Sequence, residues 1–442
     1  MSLPFKPQDL VQAELPSGAK VLALSYRKLP LLYVVLMLRR GAEGDPEGEE
    51  GLADLTAEAL TFGTREKGPE ELVLAVERLG ASFSASSGWD GSFLQLSGLS
   101  EDLEELVELA REIYLEPSFP PEEVQRAVER RVARLVKSRD EAERVADELI
   151  WKEAMEGTPY AHPTYGTLSS VKGLNREKVQ GFYSDNYTPK DTVLLLLGNE
   201  DPEALLDRGK GVLEGWQSSS APSPPKGMPS ASQGRKIILV DRPDLTQSQI
   251  RIAFCGLSRK DGRYLAFKVM NYILGGGGFS SRLMQRVRSE RGYTYGIRST
   301  FHPLGIPGPL IISTFTPTES TASAFEEVLR TVEEFSREGP GEEELQEAKS
   351  YYRGNFPLRL ETPTQLAKEV LELELYGLPL EELSSFPERV GEVKAEEVIA
   401  VAREFLSLDA FRAVVIGRVE AFEEAFKGLG SVEVRSFEDV SA

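Results

Sequence analysis

Asp54 and Glu58 lie four residues apart in Gly51-Leu-Ala-Asp-Leu-Thr-Ala-Glu-Ala-Leu-Thr-Phe-Gly-Thr64. Leu52, Leu55, Ala59 and Leu60 recur at helical spacing and define a buried face, and Gly63 supplies a C-terminal exit. The two carboxylates therefore share a different face, one turn apart. Such a pair could hold a hard cation such as Mg²⁺ or Ca²⁺. The competing reading is two solvated acids favoured near a helix N-terminus by the macrodipole. The chain has two histidines, His162 and His302, and proline follows each. They cannot form a two-histidine zinc pair on one helix.

The second chemistry-bearing stretch is Leu274-Gly-Gly-Gly-Gly-Phe-Ser-Ser-Arg-Leu-Met-Gln-Arg-Val-Arg-Ser-Glu-Arg-Gly-Tyr-Thr-Tyr-Gly296. Glycines at 275–278 permit close approach of backbone to a ligand, or a hinge, but no Lys-Ser/Thr follows as in a phosphate-binding loop. On spacing alone, Arg282, Arg286, Arg288 and Arg291 read as a solvated basic helix face. Tyr293, Tyr295 and Ile297 then read as one side of a strand.

Both stretches resemble the pitrilysin/insulinase-like zinc metallopeptidases, and the second resembles their mitochondrial-processing-peptidase-like subfamily. The frame Gly-Leu-Ala-…-Gly-Thr is that of the inverted zinc motif H-x-x-E-H. Asp54 and Glu58 stand where the family has its histidines, and Ala57 where it has the catalytic glutamate. The third family ligand is a glutamate on a long helix, and the matching Val132-Ala-Arg-Leu-Val136 carries no carboxylate. Without a metal-polarised water and a base, peptide hydrolysis has no route here. The resemblance assigns substrate-backbone binding to Arg288 and Tyr295, with Gly276 and Gly277 as a secondary contact. A guanidinium and a phenol can both donate to peptide carbonyls. In catalytic relatives the edge strand that receives substrate carries Asn-Ala; here Ser84-Ala85 stand there.

The flanking sequence must position these groups. At 442 residues, with 40% hydrophobic and 28% charged residues, the chain reads as a globular protein of at least two domains. Strands are expected at 19–26, 31–38, 81–88, 92–99 and 192–198, and helices at 51–62, 69–79, 101–115 and about 121–156. The pattern then repeats. The offsets from Gly41 to Gly256, Gly63 to Gly276, Val179 to Val398 and Gly198 to Gly417 are 215, 213, 219 and 219. So steady an offset indicates internal duplication. The expected organisation is a domain at 1–215, a Ser/Pro-rich linker at 216–235 and a second domain at 236–442. The fold class is α+β: two homologous domains, each a mainly antiparallel sheet covered by helices, enclosing a cavity.

A net charge of −20 opposes nucleic acid and anionic lipid, and no run reaches the roughly 18 apolar residues of a membrane span. No basic stretch followed by an apolar core is visible near Met1, so a cytoplasmic location is expected. Cys255 is the single cysteine. Abundant Glu, Arg and Pro hint at a thermophile. Taken with the resemblance, the expectation is a non-catalytic substrate-binding subunit of a heteromeric zinc peptidase. Zinc belongs to the homologous partner subunit, and the substrate is a peptide or unfolded polypeptide. Two alternatives stand beside it. One is a homodimer that binds peptides as a scaffold without cutting them, its Arg/Tyr pair buried in structural contacts. The other is a hydrolase using Asp54/Glu58 with another metal.

Overall fold

The computed structural model describes residues 9–218, 220, 227 and 234–440. Most of the expected linker at 216–235 lies outside them. The strands of the first unit are β1 (Leu10–Glu14), β2 (Lys20–Ser25), β3 (Leu31–Leu38), β4 (Ser82–Ser87), β5 (Ser92–Leu99) and β6 (Thr192–Gly198). They form one sheet in the order β1-β2-β6-β3-β5-β4. β2 and β6 run parallel, and the remaining neighbours are antiparallel. The second unit has β7 (Lys236–Asp241), β8 (Gln247–Cys255), β9 (Ile297–Phe301), β10 (Pro309–Pro317), β11 (Arg412–Gly417) and β12 (Ser431–Ser436), in the order β12-β7-β11-β8-β10-β9.

Five strands correspond one to one across the duplication, from β2 and β7 to the edge strands β4 and β9. The sixth does not. β1 precedes β2 and pairs with it antiparallel, whereas β12 comes from the chain's far end and pairs parallel with β7. Their sequences carry short, weakly apolar strands, which is why periodicity missed both. The repeated glycines have a steric cause. A Cβ on Gly41 would lie 2.4 Å from the Gly88 carbonyl oxygen, and one on Gly256 would lie 2.4 Å from that of Gly308. In both copies the chain leaves its strand against the backbone of the neighbouring loop, where only glycine fits.

The two compact units do not follow a single cut in the chain. One comprises residues 1–135, 163–225 and 356–385; the other comprises 136–162, 226–355 and 386–442. The expected helical stretch at 121–156 is two helices, Pro121–Ser138 and Ala142–Ala154. The second lies on β8 and β11, where Val145, Ala146, Leu149 and Ile150 pack with Ile238, Val240, Val414 and Ile416. In the first unit, helix Pro363–Leu375 lies likewise on β3 and β6. Each sheet is thus covered on both faces, which explains why every residue of β6 is buried.

An ion pair repeats with these covering helices. Lys20 Nζ is 2.7 Å from Glu374 Oε1, and Lys236 Nζ is 2.5 Å from Glu153 Oε2. Both lysines open corresponding strands, and both glutamates sit near the ends of corresponding helices. Arg39 also reaches Glu374, at 3.2 Å.

Candidate functional site

The Asp54/Glu58 helix runs from Leu52 to Ala59 and continues as a 3₁₀ turn through Phe62. Asp45, in the acidic loop before it, accepts hydrogen bonds from the backbone N–H groups of Gly51 and Ala53, both at 2.7 Å. Its carboxyl oxygens satisfy free donors at the helix start.

Neither Asp54 nor Glu58 faces water freely. Arg131, on helix Pro121–Ser138, inserts its guanidinium between them, with Nη1 2.9 Å from Asp54 Oδ2 and Nη2 2.6 Å from Glu58 Oε2. Arg131 Nε donates to the same Glu58 oxygen at 3.1 Å, and Arg130 reaches the other at 3.1 Å. The side chains of Arg131, Asp54 and Glu58 are 3%, 17% and 33% exposed. The Arg131 guanidinium also sits 4.5 Å from the Tyr165 ring centroid, a stacked cation–π arrangement. Asp54 Oδ1 accepts from the backbone N–H of Ser87 at 3.0 Å, tying the helix to edge strand β4. The expectation of two solvated acids is corrected here: a buried cation from another helix neutralises them. Arg131 lies one residue before the stretch searched for a third ligand, and a search for a carboxylate passes over a cation.

These residues do not fit zinc. A zinc site needs three protein ligands of imidazole, thiolate or carboxylate type plus an open position. Here both carboxylates are committed to a guanidinium, and Ala57 is a buried methyl group offering no base. Among the described residues, no group of three or more His, Cys, Asp or Glu is placed to hold a metal ion. His302 belongs to the other unit, its ring 5.2 Å from that of Trp151. Cation coordination by Asp54/Glu58 would have to displace Arg131.

Ser84 and Ala85 lie on β4, the outermost strand of its sheet. Ser84 is exposed and Ala85 half-buried, leaving small side chains along a strand whose outer edge has no neighbour in the sheet among the described residues.

In the second unit the glycine run closes a helix. Tyr264–Asn271 is α-helical, Tyr272–Gly276 widens into a π turn, and Gly278–Ser280 tightens to a 3₁₀ turn. A Cβ on Gly276 would meet the Asn271 side-chain amide at 2.8 Å, and one on Gly277 would meet the Tyr272 carbonyl at 2.8 Å. Glycine is required to turn here, and Gly276 is left exposed. Met284–Glu290 forms a second π-helical turn carrying Arg288. The strand expected to include Tyr293 and Tyr295 begins only at Ile297, so both tyrosines stand in the preceding turn.

The four arginines are not one solvated face. Arg282 pairs with Glu344 at 2.7 Å, Arg286 with Glu290 at 3.3 Å, and Arg291 with Glu327 at 3.3 Å. Arg288 has no carboxylate partner among the described residues; its guanidinium lies 4.8 Å from the Phe279 ring centroid. Phe279 and Tyr295 are 70% and 80% exposed, and no hydrogen bond engages the Tyr295 hydroxyl among the described residues. Arg288 and Tyr295 are therefore available donors, beside an exposed aromatic ring and the glycine loop.

The family model described as "Insulinase (Peptidase family M16)" matches residues 21–168, and that described as "Peptidase M16 inactive domain" matches residues 173–352. The chain belongs to peptidase family M16. Among its relatives in that family is the "Non-peptidase homolog YmxG" of Helicobacter pylori, 24% identical over 395 residues, covering 88% of this chain and 89% of that one. An "Uncharacterized zinc protease" of Rickettsia bellii is 22% identical over 412 residues, covering 91% and 96%. A solved M16 structure, the "peptidase M16 inactive domain from Pseudomonas fluorescens", superposes with a TM-score of 0.86 at 26% identity, covering 92% of this chain and 97% of that one. A Helicobacter pylori protease structure has the same fold at 16% identity, with a TM-score of 0.82 and coverage of 92% and 99%. With the motif residues replaced and Arg131 seated between their substitutes, this chain is an inactive M16 peptidase homologue.

Proposed function

We propose that the chain is the substrate-holding subunit of a two-chain zinc peptidase. Its partner is a homologue carrying an intact H-x-x-E-H helix and zinc, and the substrate is a peptide or unfolded polypeptide. The observation that carries this reading is the segregation of arginines around the glycine loop. Arg282, Arg286 and Arg291 are spent on glutamates, whereas among the described residues Arg288 and the exposed Tyr295 keep their donors free. A half-buried guanidinium stacked on Phe279 and an exposed phenol, both with unused donors among the described residues, suit a peptide backbone rich in acceptors.

Co-purification of this chain with a candidate zinc-bearing homologue, followed by a peptide-cleavage assay, tests the reading. A complex whose activity exceeds that of the homologue alone, and falls with Arg288→Ala, is expected. Failure to associate, or equal activity with Arg288→Ala, refutes it.

A further inference from the structure

One face of the second unit's sheet holds a cavity of about 270 Å³ beside the Arg288/Tyr295 segment. It is built by cross-strand register. Arg298 on β9 pairs with Ser313 on β10, which in turn pairs with Arg251 on β8. Directly paired residues point to the same face, so two arginines flank a serine. The small serine leaves the space between them, and Phe315 and Gln249 continue the floor. Gly296, which also lines the cavity, follows Tyr295 directly.

The two arginines are in different states. Arg251 is buried and fully engaged at two of its nitrogens. Nε donates to Asp147 at 2.5 Å, and Nη1 donates to the backbone oxygens of Ile250 and Thr314 at 3.1 and 3.2 Å and to Gln249 Oε1 at 3.3 Å. Its Nη2 has Glu143 at 3.9 Å, beyond hydrogen-bond reach. Arg298 is exposed and has no ion pair or hydrogen bond among the described residues. Glu143 also lines the cavity, on the Arg251 side.

We propose that this cavity is a subsite for a carboxylate carried by the bound peptide. Arg298 supplies the unpartnered guanidinium, and Arg251 fixes the opposite wall. The inference rests on the reading of this half as the peptide-holding half. Among the described residues the edge of β9 has no further strand in its sheet, so an extended peptide laid along it would direct alternate side chains onto the face that Arg298 occupies. The chain's net charge of −20 repels acidic peptides, so a preference for one must come from local groups.

The test is fluorescence anisotropy with the full chain and a short labelled, C-terminally amidated peptide containing one glutamate. Its glutamine counterpart and the glutamine peptide with a free C-terminal carboxylate complete the set. The glutamate peptide is expected to bind about tenfold tighter than the glutamine peptide, equivalent to about 1.4 kcal/mol. Arg298→Gln should erase that difference while leaving the glutamine peptide's affinity unchanged. A preference confined to the free-acid peptide and lost with Arg298→Gln assigns the carboxylate to the chain terminus instead. No preference, no binding of any peptide, or a preference that survives Arg298→Gln overturns the proposal. Arg288→Ala separates the two readings. It should weaken all the peptides alike if Arg288 grips the backbone; if it weakens none while the glutamate preference persists, the grip reading falls and the carboxylate subsite stands.

Discussion

Nη2 of Arg131 lies 2.6 Å from Oε2 of Glu58, across a helix pair that meets at the stretch whose sequence resembles the inverted zinc motif. Two carboxylates one turn apart repel each other, and the guanidinium between them removes that repulsion from within the fold. Arg131→Met should leave both acids facing an apolar side chain. Because Glu58 is a third exposed, the loss is expected at about 2–3 kcal/mol, below the range for fully buried pairs. Thermal melts should show it. Adding Asp54→Asn and Glu58→Gln to Arg131→Met should recover part of the loss, since the acids no longer lack a counter-charge.

The same geometry predicts how zinc binding could be installed. Asp54→His, Ala57→Glu and Glu58→His together restore the motif's residue types but leave a cation between the histidines. That triple variant should take up no zinc, whereas adding Arg131→Glu should yield about one zinc per chain. Elemental analysis after dialysis reads this directly. Stoichiometric zinc in the triple variant would show that Arg131 does not block the site.

Glu374 and Glu153 each close a lysine pair within their own compact unit. Glu374→Ala and Glu153→Ala should each destabilise by about 1–3 kcal/mol, because each leaves a part-buried lysine without its partner. The double variant should equal the sum of the singles to within about 0.5 kcal/mol, as expected for ion pairs that share no partner. Chemical denaturation of the three variants measures it.

Burial raises the Glu43 carboxyl to about 7 and that of Asp45 to about 8. Both values lie above those of the unfolded chain, near 4. The stability linked to them is fully present below about pH 4 and is lost as pH rises through about 7 and 8, because the unfolded chain releases these protons first. Glu43→Gln keeps an acceptor for the Gly41 N–H and removes one titration. Between about pH 5 and 7 its stability should fall less steeply than the wild type's, by up to about 1.4 kcal/mol per pH unit. The lowered His302 pKa acts in the opposite direction but is common to both proteins and cancels in the comparison. Urea melts across that range check the slope.

Much of this was legible in the sequence. The strands at β2, β3 and β6, the duplication and the loss of the zinc-motif residues all follow from local patterns that survive in one dimension. What escaped were long-range partners. Arg131 is one arginine among many on an amphipathic helix, and its neutralising role exists only once that helix crosses Asp54 and Glu58. Residues 142–154 read correctly as helical, but nothing in their periodicity says that they cover β8 and β11, strands that begin far later in the chain, at Gln247 and Arg412. The parallel pairing of β2 with β6 escaped for the same reason: the partner is remote, while hairpin logic favours adjacent strands. Around the glycine loop, spacing gave four equivalent arginines; the family resemblance pointed to Arg288, and the positions of Glu344, Glu290 and Glu327 show that the other three are paired.

The central claim is that this chain has lost hydrolysis and kept a peptide grip for a zinc-bearing partner. It is tested most directly by the cleavage rate of a quenched fluorescent peptide by the homologue bearing H-x-x-E-H. That rate should be measured alone, with this chain, and with its Arg288→Ala variant, after confirming that the variant melts like the wild type. The account predicts at least about a tenfold gain with this chain and loss of most of that gain with Arg288→Ala, the scale of about 1.4 kcal/mol expected for one lost backbone contact. No gain, or the same gain from both proteins, would contradict it.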